Sequence, residues 1–468
     1  MIQIPRSLVR QLRAVFRRSA SKTSFPPVVS FHAGDDGRRI RLHHGTALAG
    51  FSQPGQWPVE TLALPATALA DFEGRTDAVV TLERHGSSIL ARWDDGSLPR
   101  EMEYEGKDAA ALPAFPDLPG NLVSNEPGFL KALADASQCT AREAIRYAVN
   151  QIQLRGKSGQ VVATDGRQLL VQSGFQFPWE EDLLVPVLPV FGCREIPQEA
   201  PVALGNADDH VVFQVGPWSF FLPIAKEGRF PRTEDVIPSE RTFSARWSID
   251  PADGVFLHKA LQRLPVPSDD DNQGVTIDLN GQAILRARAS GQSRATELVA
   301  AKSSIEGKPV RLHINRTFLG RAFQLGFREV LISTADAPIL CRDERRKYVV
   351  MPLASKMAIP PSADALRVAS SNETHSTQVS TPTPQRRTVN MSTTETNGAS
   401  TPTQTNGAQS NGSNLGSLIA EAEALRTMLH DAYLRSGKLL LTIKRQRKQA
   451  HIVQSTLAAL KGLQHVGS

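Results

Sequence analysis

Val161-Val162-Ala163-Thr164-Asp165-Gly166-Arg167-Gln168-Leu169-Leu170-Val171 is the stretch on which the reading of this chain turns. A short β-branched run precedes Asp165-Gly166, and an apolar run follows it. That pattern reads as strand, tight turn, strand, because Asp-Gly supplies the positive φ that a hairpin turn needs. Alone it is a hairpin and nothing more. Two further stretches give it company downstream: Gly228-Arg229-Phe230-Pro231 running on to Val236-Ile237-Pro238, and Tyr348-Val349-Val350-Met351-Pro352-Leu353.

Outward from these stretches the pattern repeats. Pro5 to Arg18 reads as an amphipathic helix with Leu8, Leu12, Val15 and Phe16 on one side and arginines on the other. Strands with turns at Asp35-Asp36-Gly37 and Gly55 follow, then a short helix at Pro65–Phe72 and strands from Ala78 to Tyr104. Pro113, Pro116 and Pro119 mark an exit. A second unit begins with a helix over Pro127–Cys139, followed by strands at Ala144–Leu154, Val161–Val171 and Leu183–Val185. A short helix at Pro189–Cys193 and further strands complete it. A third begins with a helix over Pro251–Leu264, whose inward residues are Val255, Phe256, Leu261 and Leu264. Its strands are Val275–Leu279, Ala283–Arg288, Val310–Ile314, Val330–Ser333, Ile339–Cys341 and Lys347–Met351, with a helix at Asn315–Leu325. The order helix, strands, short helix, strands thus occurs three times at a spacing of roughly 120 residues. Each unit is an α+β layer with helices on one face of an antiparallel sheet.

Charge is unevenly placed. The 468 residues carry a net +6, yet 413–468 holds eight Lys/Arg against three Asp/Glu and 357–412 holds three of each. The first 356 residues are therefore nearly neutral, and an anionic partner must be met by segregated charge. The three cysteines, Cys139, Cys193 and Cys341, are far apart and show no metal-ligand spacing, so they read as reduced structural thiols. No apolar run is long enough to span a membrane. The N-terminus lacks the apolar core of a secretory signal and is read as part of the fold, which favours a cytoplasmic protein. No paired carboxylates, Gly-rich phosphate loop or Cys/His cluster appears, so no catalytic residue, metal or cofactor is expected. His43-His44 reads as a surface pair.

The three quoted stretches, in this order, resemble the bacterial DNA polymerase III beta sliding clamp over about residues 1–353. Ala163-Thr164-Asp165-Gly166 matches that family's ATDG, Gly228-Arg229-Phe230-Pro231 its G[KR]FP, and Tyr348-Val349-Val350-Met351-Pro352 its YVVMP. Arg146-Tyr147 stands where the family has Arg-Tyr. The resemblance implies three repeated DNA-clamp domains, 1–120, 121–243 and 244–356, and a head-to-tail homodimer ring around duplex DNA. It implies a non-catalytic processivity factor whose partners are the polymerase III catalytic subunit and a clamp loader. It also implies a peptide pocket formed by Val149, Thr164, Gly166, Arg167, Gln168, Leu169, Pro231, Val236, Val349, Met351, Pro352 and Leu353. The candidate DNA-facing residues are Arg6, Arg10, Arg13, Arg17 and Lys22, then Lys131 and Arg146, then Lys259, Arg263, Arg316 and Arg321. A ring that slides should meet phosphates and leave base edges unread.

Three departures stand out. The family's His-Arg after ATDG is replaced by Arg167-Gln168. Asp269-Asp270-Asp271 lies where the family tends to be basic. The chain also runs on past Leu353. The segment 357–412 is Ser/Thr/Asn/Pro-rich without Phe, Trp or Tyr, which predicts a disordered linker. Leu418–Leu463 has a 3-4 apolar spacing with a basic centre, Lys444–Lys448, so 413–468 reads as a helical segment for an extra partner. A protein partner and a grip on DNA both stay open there. A diverged clamp paralogue acting as an interaction scaffold is the alternative to the replicative reading.

Overall fold

In the computed structural model the described residues are 1–20, 27–44, 48–143, 147–207, 209–266, 270 and 272–370, all within one compact unit. They show the threefold order in full. The first repeat comprises β1 (Ile2–Pro5), α1 (Arg6–Ser19), β2 (Val28–Gly34), β3 (Gly37–His43), β4 (Leu48–Gln53), β5 (Glu60–Pro65), α2 (Leu69–Phe72), β6 (Val79–His85), β7 (Ser88–Asp95) and β8 (Leu98–Glu105). The second comprises β9 (Val123–Asn125), α3 (Phe129–Ser137), β10 (Gln151–Arg155), β11 (Gln160–Thr164), β12 (Gln168–Ser173), β13 (Asp182–Pro186), a 3-10 turn at Pro189–Gly192, β14 (Val202–Ala207), β15 (His210–Val215) and β16 (Trp218–Pro223). The third comprises β17 (Ala245–Ser248), α4 (Pro251–Leu261), β18 (Gly274–Asn280), β19 (Gln282–Ala287), β20 (Thr296–Ala300), β21 (Ser304–Gly307), β22 (Val310–Asn315), α5 (Arg316–Gln324), β23 (Glu329–Ile332), β24 (Ile339–Arg342) and β25 (Arg346–Val350).

Each repeat contributes two half-sheets with a constant strand order. The first half-sheets run β5-β2-β3-β4, β13-β10-β11-β12 and β22-β18-β19-β20. The second run β1-β6-β7-β8, β9-β14-β15-β16 and β17-β23-β24-β25, with β21 added beside β17. Repeats join edge to edge. β4 of the first pairs antiparallel with β16 of the second, Phe51 facing Trp218. β12 of the second pairs antiparallel with β25 of the third, Leu169 facing Val349. The sheets therefore run unbroken across both boundaries.

Local chemistry accounts for the elements. α1 buries Val9, Leu12, Val15 and Phe16 at helical spacing, with Pro5 before its first turn. Phe16 meets Trp218 edge-on with centroids 6.3 Å apart, tying the first helix to the second repeat's junction strand. α4 starts at Pro251 with the Asp250 carboxylate accepting from Ala252 N–H at 2.8 Å. α5 is capped the same way by Asn315, which accepts from Thr317 N–H at 2.8 Å.

Several expectations are corrected. Val255 is 53% exposed, and Leu257 takes the inward place. Of the expected strand over 144–154, residues 144–146 lie outside the described residues, 147–150 form a turn, and the strand runs Gln151–Arg155. The expected linker start at 357 is also corrected. The chain past Leu353 makes a 3-10 turn at Ser355–Met357, Ile359 N–H donates to Thr276 Oγ1 at 2.8 Å, and Leu366–Ala369 forms a further strand, β26. The rest of the expected linker and the helical segment 413–468 lie outside the described residues.

The cysteines are all free and buried. Burial pushes the thiols of Cys139 and Cys341 up to about 12. At pH 8 their thiolate fraction should then be about a thousandfold below that of an exposed cysteine. Titration with an aromatic disulfide reagent should find these two thiols silent in the native chain and reactive in urea. Native reaction at the unfolded rate would refute the burial.

Candidate peptide-binding surface and basic surface

The Asp165-Gly166 turn is held by its own side chains. Gly166 adopts φ +87°, which a side chain would strain. The Asp165 carboxylate accepts from the N–H groups of Arg167 (2.8 Å) and Gln168 (3.0 Å). Thr164 Oγ1 donates to the Gln168 carbonyl at 2.6 Å and accepts from Gly166 N–H at 3.0 Å. The next strand then pairs with β25, and Met351 N–H donates to the Arg167 carbonyl at 2.9 Å. The first and third quoted stretches are thus neighbours across one sheet.

The second stretch joins them through packing. Gly228, at φ +105°, brings the loop against Ala148, whose N–H donates to the Arg229 carbonyl at 3.0 Å. Arg155 fixes the far end, donating to Thr233 Oγ1 at 2.7 Å and pairing with Glu234 at 2.6 Å. One apolar cluster results, separate from the main core. It holds Ala148, Val162, Leu169, Val171, Leu184, Phe230, Leu331, Leu340 and Val349, with Ile237 and Phe243 packed against it. Val236, which precedes Ile237, and Met351, two residues past Val349, are exposed, each 48% accessible. The sequence reading had not selected Phe230 or Ile237, although both lie inside quoted motifs.

The expected pocket residues therefore divide. Val236 and Met351 are exposed apolar residues, and Gly166 and Arg167 are exposed on the turn. Val149, Pro231, Pro352 and Leu353 are half-buried. Leu169, Val349 and Thr164 are buried within the scaffold. Gln168 is a correction: it is 4% exposed and turned inward. Its side-chain Oε1 accepts from Arg321 Nη1 (2.6 Å) and from the Tyr348 hydroxyl (2.7 Å), and its Nε2 donates to Asp165 (2.7 Å). Burial holds the Tyr348 phenol well above its ordinary value, so it remains a donor.

The basic candidates also divide. Arg6 is buried and donates to the carbonyls of Phe72 (3.3 Å), Glu73 (3.0 Å) and Asp94 (2.7 Å). Arg316 is buried and donates to the carbonyls of Leu264 (2.6 Å) and Pro265 (2.7 Å). With Arg321 on Gln168, these three are corrected from phosphate contacts to structural clamps. Arg13 pairs with Glu73 at 2.7 Å and Lys131 with Asp135 at 2.5 Å. Arg10, Arg17, Lys259 and Arg263 are exposed. Lys22 and Arg146 lie outside the described residues, as do Asp269 and Asp271. Asp270 is an internal cap, accepting from Asn272 and Gly274 N–H groups at 2.9 and 2.5 Å. Among the described residues no helix is long and apolar enough to cross a membrane.

No protein-family model matches the sequence, and no curated protein sequence matches it. Solved structures do match. The sliding clamp of Pseudomonas aeruginosa bound to griselimycin superposes with a TM-score of 0.63 at 18% identity, over 75% of this chain and 98% of that one. The DNA polymerase III beta chain of Streptococcus pneumoniae gives 0.62 at 16% identity, over 75% and 98%. The beta subunit of Streptococcus pyogenes gives 0.63 at 14% identity, over 75% and 99%. Three repeats, paired half-sheets and near-complete coverage of these subunits together show that the described body of this chain has the fold of the bacterial DNA polymerase III beta sliding clamp.

Proposed function

We propose that this chain is a non-catalytic sliding clamp that encircles duplex DNA and tethers a DNA polymerase and other partners through short apolar peptides. The observation that carries the reading is the rule by which repeats join. The last strand of one first half-sheet pairs with the last strand of the next repeat's second half-sheet, at β4–β16 and again at β12–β25. Applied once more, the rule assigns β20 of one copy to β8 of another. β8 is an eight-residue edge strand with Leu98 and Met102 exposed, a form that single-copy proteins usually blunt. Two copies closing at two such junctions make a six-repeat ring.

Within that ring, Arg10, Arg17, Lys259 and Arg263 would meet phosphates through mobile side chains without reading bases. The clamp loader and polymerase would seat apolar peptide anchors at Val236 and Met351 over the cluster beneath. The ring raises the local concentration of a tethered enzyme at the primer end.

The test is topological. The chain is assembled at high protein concentration on nicked circular DNA and passed through a gel-filtration column in high salt, which removes simple phosphate contacts. Retention on the circle should fall at least about tenfold when a restriction enzyme linearises it. Equal retention on circle and line would sink the clamp reading.

A further inference from the structure

The edge that the joining rule reserves for a second copy is already occupied. β26 lies against β20 as a parallel strand, with Thr296 beside Leu366, Glu297 beside Arg367, Leu298 beside Val368 and Val299 beside Ala369. Its ends are fastened. Leu366 N–H donates to the Ala295 carbonyl at 2.9 Å and Ser370 N–H to the Val299 carbonyl at 3.0 Å. Arg367 Nε reaches the fully buried Glu297 at 2.7 Å. The Ser370 hydroxyl donates to the fully buried Asp253 carboxylate, which also takes Lys302 and Ser303 N–H groups at 2.9 and 2.7 Å, and Ala301 N–H donates back to Ser370 Oγ at 3.0 Å.

From this we propose that β26 is an internal guard on the ring-closing edge: it stands in for β8 of a second copy, and the ring closes only when β26 leaves. The inference rests on the ring reading above. A sheet edge offers one row of N–H and C=O groups, so one strand excludes the other. The competition is balanced by design of the pair. β26 is only four residues long, exposed along its whole length, and parallel, the slightly weaker pairing. β8 offers eight residues and, by the rule at the other two junctions, would pair antiparallel. In its favour β26 has covalent attachment to the third repeat, which gives it a high effective concentration. The free chain is thereby kept from closing on itself or on other exposed edges when dilute, and closure must be driven by high protein concentration or by a factor that displaces β26.

The experiment compares a released edge with a locked one in the full-length chain. Arg367→Glu with Val368→Pro places a carboxylate against Glu297 and removes a strand N–H, releasing β26. Thr296→Cys with Leu366→Cys, oxidised, locks a register pair, and the native cysteines are buried out of reach. Amide exchange in β26 verifies release and locking. By sedimentation, the released variant should run at twice the 50.9 kDa chain mass, and the locked variant at the chain mass. The released variant should also exceed the locked one at least about tenfold in retention on nicked circular DNA. Locked and released chains that both dimerise would overturn the guard and leave the ring reading standing. A released variant that stays monomeric although β26 has lost its protection would overturn both.

Discussion

Arg286→Ala is expected to lower the stability of the third repeat by about 3–5 kcal/mol, the usual cost of breaking a buried ion pair from one side. Arg286 is 2% exposed and sits between two buried carboxylates, Asp278 and Glu297. Its Nε is 2.5 Å from Glu297, and Arg311 reaches Asp278 from the rim at 3.0 Å. Removing the guanidinium leaves two carboxylates inside with only rim arginines to face them. The readout is amide exchange across β18, β19 and β20, whose opening free energy should fall by that amount while β10–β13 hold theirs. Unchanged exchange in β19 would show that the cluster does not support the sheet.

The second large effect falls on peptide capture. Val236→Ala with Met351→Ala should weaken binding of a short apolar partner peptide by about thirtyfold or more, as expected when two anchors of roughly 1 kcal/mol or above are lost. Both residues are half exposed, so the melting temperature should move little. Leu169→Ala is a poor substitute. Leu169 is 3% exposed inside the cluster, and its truncation should cost about 2–5 kcal/mol of stability. An unaltered peptide affinity in the Val236/Met351 double variant, measured by fluorescence anisotropy, would remove this surface as the docking site.

The sequence was most legible where a residue's job is local. Asp165-Gly166 dictates its turn through φ and through carboxylate-to-backbone bonds, and the α1 stripe shows its buried side by spacing alone. Local signals of this kind, taken in order along the chain, were enough to find three repeats. It was least legible where the partner is a distant carbonyl. Arg6, Arg316 and Arg321 look like surface cations in any composition count, yet each is claimed by acceptors more than fifty residues away in sequence. Gln168 failed for the same reason: its three partners lie on the turn, on α5 and on β25. β26 was missed because low apolar content was read as inability to order. A strand added to an open edge is held by backbone bonds and two buried carboxylates, and needs few apolar side chains of its own.

The shared sheets also settle where such a molecule can yield. Load placed on one repeat passes to the next through rows of hydrogen bonds at β4–β16 and β12–β25, sheared together and not one by one. Neither boundary is a hinge, and each should resist bending about as well as the middle of a sheet. In the proposed ring, any seam through which a duplex enters sideways would be mechanically confined to the two joints between chains, and the stiffness of the joints within each chain would set how far that seam gapes when one lets go.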